Sequence, residues 1–335
     1  MDDTELAALG VSKHLIHRAT VISLRDRGIA RMLRAVDMHA GQVRITSSVV
    51  RGLIDAQFPQ WRVQPIRPVQ SVGTVNAIFR IGNQFAARFP LQGEDPGAVL
   101  QQLQAESDAA AKLVGRTRFP TPEPVAIGSP GPGYGLPWSV QTWLPGVVAT
   151  GRDPGDSAGF ARDLAEFVAG VRMISTGGKN FEGPGRGGVI ALHDEWMQMC
   201  FERSAGLLDV PRLRQVWAQM RELPRGSDVD VTSHRDLIPG NVLVSGEGRL
   251  AGVLDAGGLG PADPALDLVG AWHLLDAADR KVFRESLRPD ELQWQRGRAW
   301  AFQQAVGLVW YYANSNPAMS RLGRRTLDRL LADSS

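Results

Sequence analysis

The sequence predicts an α+β protein of two lobes: a small N-terminal lobe on an antiparallel sheet with one inserted helix, and a larger, mainly helical C-terminal lobe. Apolar residues alternate with a period of two through much of 60–143. After a break at 144–146 the apolar spacing becomes mainly helical. The 335 residues are too many for one small core, since one domain usually takes ~100–200 residues.

The N-terminal lobe is expected to span residues 38–143. A first helix begins at Thr46 or Ser47, whose hydroxyl can cap it, and it ends before Pro59. Five strands follow, at 63–69, 77–81, 85–89, 125–127 and 138–143. Gly82 and Asn83 form a tight hairpin turn, and a long helix at 99–113 interrupts the strands.

The C-terminal lobe is expected to span residues 144–335. Its helices are predicted at 157–174, 194–208, 211–223, 265–275, 289–314 and 321–332. A glycine-rich loop occupies 177–188, and short strands are predicted at 229–232, 242–244 and 250–254. Residues 1–37 carry mixed charges and no clear apolar face, so we treat them as an N-terminal extension or a misassigned start.

Composition excludes several classes of protein. The net charge is +2 without a basic block, which argues against a nucleic-acid partner. No apolar run reaches the ~20 residues of a membrane span. The single cysteine, Cys200, permits neither an internal disulfide nor a zinc site of several thiolates. We therefore expect a cytoplasmic protein with no membrane partner, and we make no prediction of oligomeric state.

Lysine is scarce: of 37 Lys and Arg residues only Lys13, Lys112, Lys179 and Lys281 are lysine. A coding bias explains such a count. It also restricts any mechanism that needs a lysine at a defined place to four candidates.

The chemistry concentrates in residues 234–255. The segment 234–241 reads HRDLIPGN, so that Asp236 and Asn241 are five residues apart, and Asp255 follows fourteen residues later. A hairpin between them would fold Asp255 back beside Asn241. A few hard oxygen ligands without thiolates suit Mg²⁺, which completes its shell with water and substrate phosphates. The alternative is that these are ordinary turn residues, for which Asp, Asn and Gly are common.

This spacing resembles the catalytic and metal loops of kinases. Further segments resemble aminoglycoside phosphotransferases and their wider kinase-like family, over about residues 40–332. These segments are NAIFRIG at 76–82, FAARFP at 85–90, WLPG at 143–146 and VLDAGGLGPADPALD at 253–267. The resemblance implies a bilobal protein-kinase-like fold, and transfer of the γ-phosphate of ATP or GTP to a small-molecule hydroxyl.

The resemblance also implies roles for single residues. Asp236 would be the catalytic base, and Asn241 and Asp255 would bind Mg²⁺. His234 would be a structural hydrogen-bonding residue rather than an acid. The adenine site would lie between the lobes near Gln141 and Leu144, where main-chain groups read the base.

The chain departs from the kinase pattern at the phosphate contacts. The glycine-rich loop is reduced to Gly73, so Ser71, Thr74 and nearby backbone amides are the candidates there. The third strand carries Arg88 where kinases have lysine. We expect Arg88 to contact phosphate and Glu106, on the following helix, to be its ion-pair partner; the alternative is a surface arginine and a solvated glutamate.

Asp263 and Asp267 are expected to be structural, capping the helix predicted from residue 265 and bracing the catalytic loop. Candidates for binding the acceptor are Asp153, Asp156, Asp194, Glu195, Glu202, Trp196 and Trp310. For these a solvated helix face or core packing is the competing interpretation.

Three functional hypotheses remain at this stage. The first is a small-molecule kinase whose acceptor is an aminoglycoside or another antibiotic. The second keeps the chemistry and changes the acceptor, to a macrolide or to a metabolite of the choline, homoserine or sugar type. The third is a catalytically silent nucleotide-binding pseudokinase, against which the presence of Asp236, Asn241 and Asp255 argues.

Overall fold

A computed structural model describes residue 43 and residues 45–69, 75–93, 95–150, 157–226 and 228–333. The expected extension at 1–37 lies outside the described residues, as do Ser71, Thr74, Asp153 and Asp156. Among the described helices, none combines the length and the apolar character needed to cross a bilayer.

The N-terminal part begins with helix α1 (Ser47–Gln57). Thr46 is its N-cap, and its hydroxyl oxygen accepts a hydrogen bond from the backbone N–H of Val49. The helix ends ahead of Pro59, as the sequence predicts. Its apolar face packs against the sheet that follows.

The predicted five-stranded antiparallel sheet is confirmed. Its strands are β1 (Ile66–Val69), β2 (Asn76–Ile81), β3 (Phe85–Pro90), β4 (Pro124–Gly128) and β5 (Trp138–Thr142), in the spatial order β1-β2-β3-β5-β4. Val63, expected in the first strand, lies in the turn before β1 and is 90% exposed. The prediction for Val63 is wrong because a turn follows the short helix Pro59–Trp61, closed by a hydrogen bond from the N–H of Gln64 to the backbone oxygen of Trp61.

Helix α2 (Pro96–Leu113) connects β3 to β4. It begins three residues before the predicted start because Asp95 caps it, accepting hydrogen bonds from the N–H groups of Gly97 and Ala98 at 2.9 and 3.3 Å. The helix packs on the segment Ala256–Gly258 of the C-terminal part, and so it lies over the region of Asp255.

The C-terminal part is mainly helical. Its helices are α3 (Ala158–Arg172), α4 (Asp194–Arg203), α5 (Val210–Met220), α6 (Val269–Leu274), α7 (Ala277–Leu287), α8 (Glu291–Tyr311) and α9 (Pro317–Ala332). Helix α7 was not predicted, although its sequence AADRKVFRESL is amphipathic and Asp276 caps it by accepting a hydrogen bond from the N–H of Asp279. Helix α8 is buried along most of its length and forms the centre of the larger apolar core.

Two small sheets lie beside the segment 234–255. One is an antiparallel sheet in the order β6-β8-β9. Its strands are β6 (Val147–Val148), β8 (Val242–Val244) and β9 (Leu250–Val253). Strand β7 (Val231–Ser233) pairs with β10 (Gly260–Ala262). The sequence predicted β7, β8 and β9 but not β6 or β10, which are two and three residues long. The pairing of β7 with β10 fixes the start of the segment 234–255, and the pairing of β8 with β9 fixes its end.

Acidification is expected to destabilise the protein through two buried histidines. Burial lowers the pKa of His273 from 6.5 to about 3 and that of His193 to about 4, where the positive charge of Arg186 adds to the effect. Between these values and the unfolded pKa of about 6.5 the unfolded chain binds more protons. The free energy of unfolding should therefore fall by about 2 kcal/mol per histidine from pH 7 to pH 5.

Urea unfolding at pH 7, 6 and 5 measures this loss. In His273→Gln the stability at pH 7 is lower, but its fall towards pH 5 should be about half that of the wild type. An equal fall in both proteins would contradict the assignment to His273.

Candidate active site

The segment 234–241 follows strand β7 and is held by Asp267. The carboxylate of Asp267 accepts hydrogen bonds from the hydroxyl of Ser233 at 2.8 Å and from the backbone N–H groups of His234 and Arg235 at 2.8 and 2.9 Å. Arg235 has a φ of 71°, a left-handed conformation that is uncommon for residues other than glycine. The contacts of Asp267 are the bracing that the sequence analysis expected, and they stabilise this turn just before Asp236.

His234 is fully buried, and its Nε2 lies 3.0 Å from the backbone oxygen of Leu254. This contact joins the segment 234–241 to the end of strand β9, next to Asp255. The imidazole therefore has the structural position expected for it.

Asp236 lies with its side chain 38% exposed. The Nδ2 group of Asn241 donates to the carboxylate Oδ2 of Asp236 at 2.8 Å and to its backbone oxygen at 3.0 Å. Because the amide nitrogen of Asn241 is used in this way, its Oδ1 is the atom that can bind a cation.

The hairpin of β8 and β9 brings Asp255 beside Asn241. Val242 pairs with Val253, and the N–H of Leu254 donates to the backbone oxygen of Asn241 at 2.7 Å. Asp255 then has a φ of 60°, again a left-handed conformation, with its side chain 45% exposed. Left-handed residues other than glycine concentrate at functional sites because such strain is kept only where the position matters.

The side-chain oxygens of Asn241 and Asp255 fit a magnesium ion. The described residues contain no group of three His, Cys, Asp or Glu side chains able to hold a metal ion. One amide oxygen and one carboxylate are too few for a closed protein site, and they suit Mg²⁺, which keeps waters and takes phosphate oxygens.

Arg88 lies on β3, and its guanidinium reaches across to the C-terminal part. It donates to Oδ1 of Asp255 at 2.8 Å and to Oε1 of Gln141 at 3.4 Å. Burial lowers the pKa of Arg88, but the negative charges of Asp255 and Glu106 outweigh it, and the net effect is a pKa raised above its ordinary value. Arg88 is therefore a fixed cation next to a predicted metal ligand.

The expected ion pair of Arg88 with Glu106 is not formed, since the carboxylate partner of Arg88 is Asp255. Glu106 instead accepts a hydrogen bond from Nε2 of Gln102, one turn earlier, at 2.8 Å. Its side chain packs over Gly257, where an added Cβ would lie 2.9 Å from its Cγ. The sequence predicted the correct helix, but this packing holds Glu106 near Arg88 without direct contact.

Three of the predicted residues line a cleft between β3, β5, α2 and the segment 256–257. Arg88, Glu106 and Gln141 line it together with Gly257. Leu144 does not line this cleft; it follows β5 and packs near Gly252, where an added Cβ would lie 3.1 Å from its Cδ1.

Two residues that contact Asp236 were missed. Arg186 donates to Oδ1 of Asp236 at 3.4 Å, and Gln304 donates to the same oxygen at 3.3 Å. Arg186 lies in the predicted glycine-rich loop, and burial lowers its pKa against the opposing charges of Asp236 and Asp267. Gln303 and Gln304 interrupt an apolar run in α8, and such a buried polar pair is a signal that the sequence did offer.

Three of the candidate acceptor residues, Asp194, Glu202 and Trp196, are otherwise engaged. Asp194 accepts hydrogen bonds from Trp217 and Arg221, both at 2.9 Å. Glu202 accepts from Gln198, and the ring of Trp196 is buried. Within the described ranges, no hydrogen bond or ion pair joins Asp236 to any of these candidates.

Comparison with known proteins bears on the family and the fold of this chain. The profile of the phosphotransferase enzyme family (APH) matches residues 66–302, more than half of the chain. No curated protein sequence matches.

Three solved structures represent the structural matches. They are the GDP and kanamycin complex of APH(2")-IIia, macrolide 2'-phosphotransferase MphH from Brachybacterium faecium, and the streptomycin–ATP complex of APH(2")-IIa. Their identities to this chain are 18%, 18% and 14%, with TM-scores of 0.63, 0.52 and 0.52. The matches cover 85%, 78% and 85% of this chain and 99%, 92% and 97% of the others.

At these identities the structures show a shared fold, while the profile shows the family. The predicted α+β fold with a small antiparallel sheet and a larger helical part is confirmed. The chain belongs to the phosphotransferase enzyme family.

Proposed function

We propose that this enzyme transfers the γ-phosphate of ATP or GTP to a hydroxyl group of a small molecule, with Mg²⁺. The observation that carries the proposal is that direct contacts and one hairpin connect four predicted residues, in two pairs. Asn241 donates to Asp236, Arg88 donates to Asp255, and the hairpin of β8 and β9 holds Asn241 next to Asp255.

In this proposal Asp236 accepts the proton of the acceptor hydroxyl and orients its oxygen towards the phosphate. Asn241 and Asp255 would hold Mg²⁺, whose charge offsets that of the phosphates. Arg88 contacts phosphate oxygens from the β3 side. Rate enhancement then depends on positioning and on fixed charges, as is usual for phosphoryl transfer.

A macrolide or a metabolite is the second candidate for the acceptor, beside an aminoglycoside. Aminoglycosides are polycations and need several carboxylates. Here Asp194 already forms an ion pair with Arg221, and the guanidinium of Arg186 contacts Asp236. These contacts favour an acceptor with few positive charges.

The test is a phosphate-transfer screen with ATP and GTP over aminoglycosides, macrolides and small hydroxyl metabolites. The matched control is Asp236→Asn, which keeps the volume of the side chain. Transfer to one class by the wild type, and not by the variant, supports the proposal. Nucleotide binding without any transfer across the panel would instead support the silent pseudokinase.

Arg88→Ala is expected to weaken nucleotide binding by about 10- to 100-fold, because a charge-assisted hydrogen bond contributes about 1.5–3 kcal/mol. Arg88→Lys should recover part of this loss, since it restores the charge but not the planar fork. Calorimetric titration with nucleotide and Mg²⁺ measures the change. Arg67→Ala, an exposed arginine on β1, is the matched control. Equal affinities of Arg88→Ala and the wild type would contradict the assignment.

A further inference from the structure

A buried chain of hydrogen bonds runs through three helices to the carboxylate of Asp236. Nε2 of Gln304 on α8 lies 3.3 Å from Oδ1 of Asp236. Oε1 of Gln304 lies 3.0 Å from Nε2 of His273 on α6, and Nδ1 of His273 lies 2.9 Å from the hydroxyl of Thr326 on α9. His273 and Thr326 are fully buried and Gln304 is 5% exposed.

The direction of every bond in this chain is determined. An ionised carboxylate only accepts, so the amide nitrogen of Gln304 faces Asp236 and its oxygen faces His273. His273 must then carry its proton on Nε2, and its unprotonated Nδ1 accepts from the hydroxyl of Thr326. Burial lowers the pKa of His273 to about 3, which keeps the ring neutral as this arrangement requires.

If the Gln304 amide were flipped, its oxygen would face the carboxylate oxygen of Asp236, acceptor against acceptor. Its NH2 group would face the Nε2–H of His273, donor against donor. Each buried polar atom left unpaired costs about 1–3 kcal/mol. His273 and Thr326 therefore hold the amide in the one orientation that donates to Asp236.

Asp236 is held from three sides. Asn241 donates to Oδ2 at 2.8 Å, while Gln304 and Arg186 donate to Oδ1 at 3.3 and 3.4 Å. Donors on both oxygens oppose rotation of the carboxylate plane. Of these donors, only Gln304 belongs to a buried helix and is itself oriented by further buried partners.

The neighbouring residue Gln303 shows that burial alone does not produce this arrangement. It is similarly buried, at 6% exposed, and its Nε2 lies 3.4 Å from Nδ1 of His193. Its Oε1 is buried without a hydrogen-bond partner. Gln303 therefore belongs to no closed chain, and it provides a matched control.

We propose that Gln304 is a positioning residue for Asp236, oriented by His273 and Thr326. This inference rests on the proposed function, because positioning matters only if Asp236 is the base. A carboxylate that rotates away from the acceptor hydroxyl loses the near-attack geometry, and a misplacement of about 1 Å can cost about 100-fold in rate.

Kinetics test the role. Gln304→Leu should lower kcat by about 10- to 100-fold and leave the KM for nucleotide unchanged, because the nucleotide contacts lie on the Arg88 side of the cleft. Thr326→Val should lower kcat several-fold, and Thr326→Ser should restore it. Gln303→Leu should keep the wild-type kcat. A wild-type kcat in Gln304→Leu, or equal losses in the Gln303 and Gln304 variants, would overturn the proposal.

A second measurement does not need activity. The side-chain amide resonances of Gln304, assigned by their loss in Gln304→Leu, should shift in Asp236→Ala and in Thr326→Val, while those of Gln303 stay unchanged. If the Gln304 resonances do not shift in Asp236→Ala, the proposal is overturned. If Gln304→Leu does not fold, Gln304→Met supplies the assignment and Thr326→Val carries both tests. If the wild type transfers no phosphate, the proposed function fails, and the resonances still decide whether Gln304 is held against Asp236.

Discussion

Asp236→Ala is expected to lower phosphate transfer by about 10²- to 10⁴-fold, the usual contribution of a positioned general base. The side chain is the one carboxylate that receives hydrogen bonds from Asn241, Arg186 and Gln304 together. Its exposed fraction of 38% leaves it open to an acceptor. Nucleotide affinity should change little, because Arg88 and Asp255 remain paired.

Turnover in a coupled assay and nucleotide affinity by calorimetry measure the two effects separately. The control is Asp328→Asn, an exposed aspartate on α9, which should behave as the wild type. A folded Asp236→Ala protein with unchanged turnover would reject Asp236 as the base. Loss of nucleotide binding in the same variant would assign Asp236 to the nucleotide site instead.

The local part of this site could be predicted from the sequence. Asp236, Asn241 and Asp255 lie within twenty residues, and the predicted hairpin connects the last two. The period of two in residues 60–143 likewise predicted the sheet, because alternation is a local property of a strand that buries one face.

The long-range part could not be predicted. Gln304 lies 68 residues after Asp236, and Arg88 lies 167 residues before Asp255. Such contacts depend on how helices and sheet pack, which no local pattern encodes. Glu106 shows the same limit: the sequence places it on the right helix, but in the structure it packs against Gly257 and Arg88 pairs with Asp255.

The scarcity of lysine gains a structural meaning. None of the four lysines lies on β3, and Arg88 is the cation of that strand. Its two terminal nitrogens, Nη2 and Nη1, donate to two different acceptors, Asp255 and Gln141. The ammonium group of a lysine is a point charge without a planar fork, so it would fix the positions of the two acceptors less well.

Arg296→Met is expected to lower the free energy of unfolding by about 3–5 kcal/mol, the cost of breaking a buried ion pair from one side. Arg296 is 1% exposed, and Asp263 is fully buried. Nε and Nη2 of Arg296 donate to the two carboxylate oxygens of Asp263 at 3.0 and 2.8 Å, and Nη2 also donates to Asp228 at 2.9 Å. Although burial lowers the pKa of Arg296, these two carboxylates outweigh it and raise the pKa above its ordinary value.

The loss should be large because Asp263 stays behind in the core. Arg225 still forms an ion pair with its carboxylate at 2.8 Å, and Nε1 of Trp300 still donates to it at 3.1 Å, so the charge keeps part of its compensation. Asp263 also accepts from the N–H of Ala265 at 2.8 Å, and it lies four residues before Asp267, which holds the turn preceding Asp236. We therefore expect turnover to fall as well, through a loosened catalytic segment.

Arg284→Met is the matched control, since the ion pair of Arg284 with Glu291 lies at the surface and such pairs contribute about 0–1 kcal/mol. Urea unfolding at pH 7 compares the two variants. If Arg296→Met costs no more than Arg284→Met, the buried pair does not stabilise this part of the fold, and the ion pair with Arg225 and the hydrogen bond from Trp300 suffice for Asp263. A cost several times larger instead places Arg296 among the residues that hold the segment 263–267 against the catalytic turn.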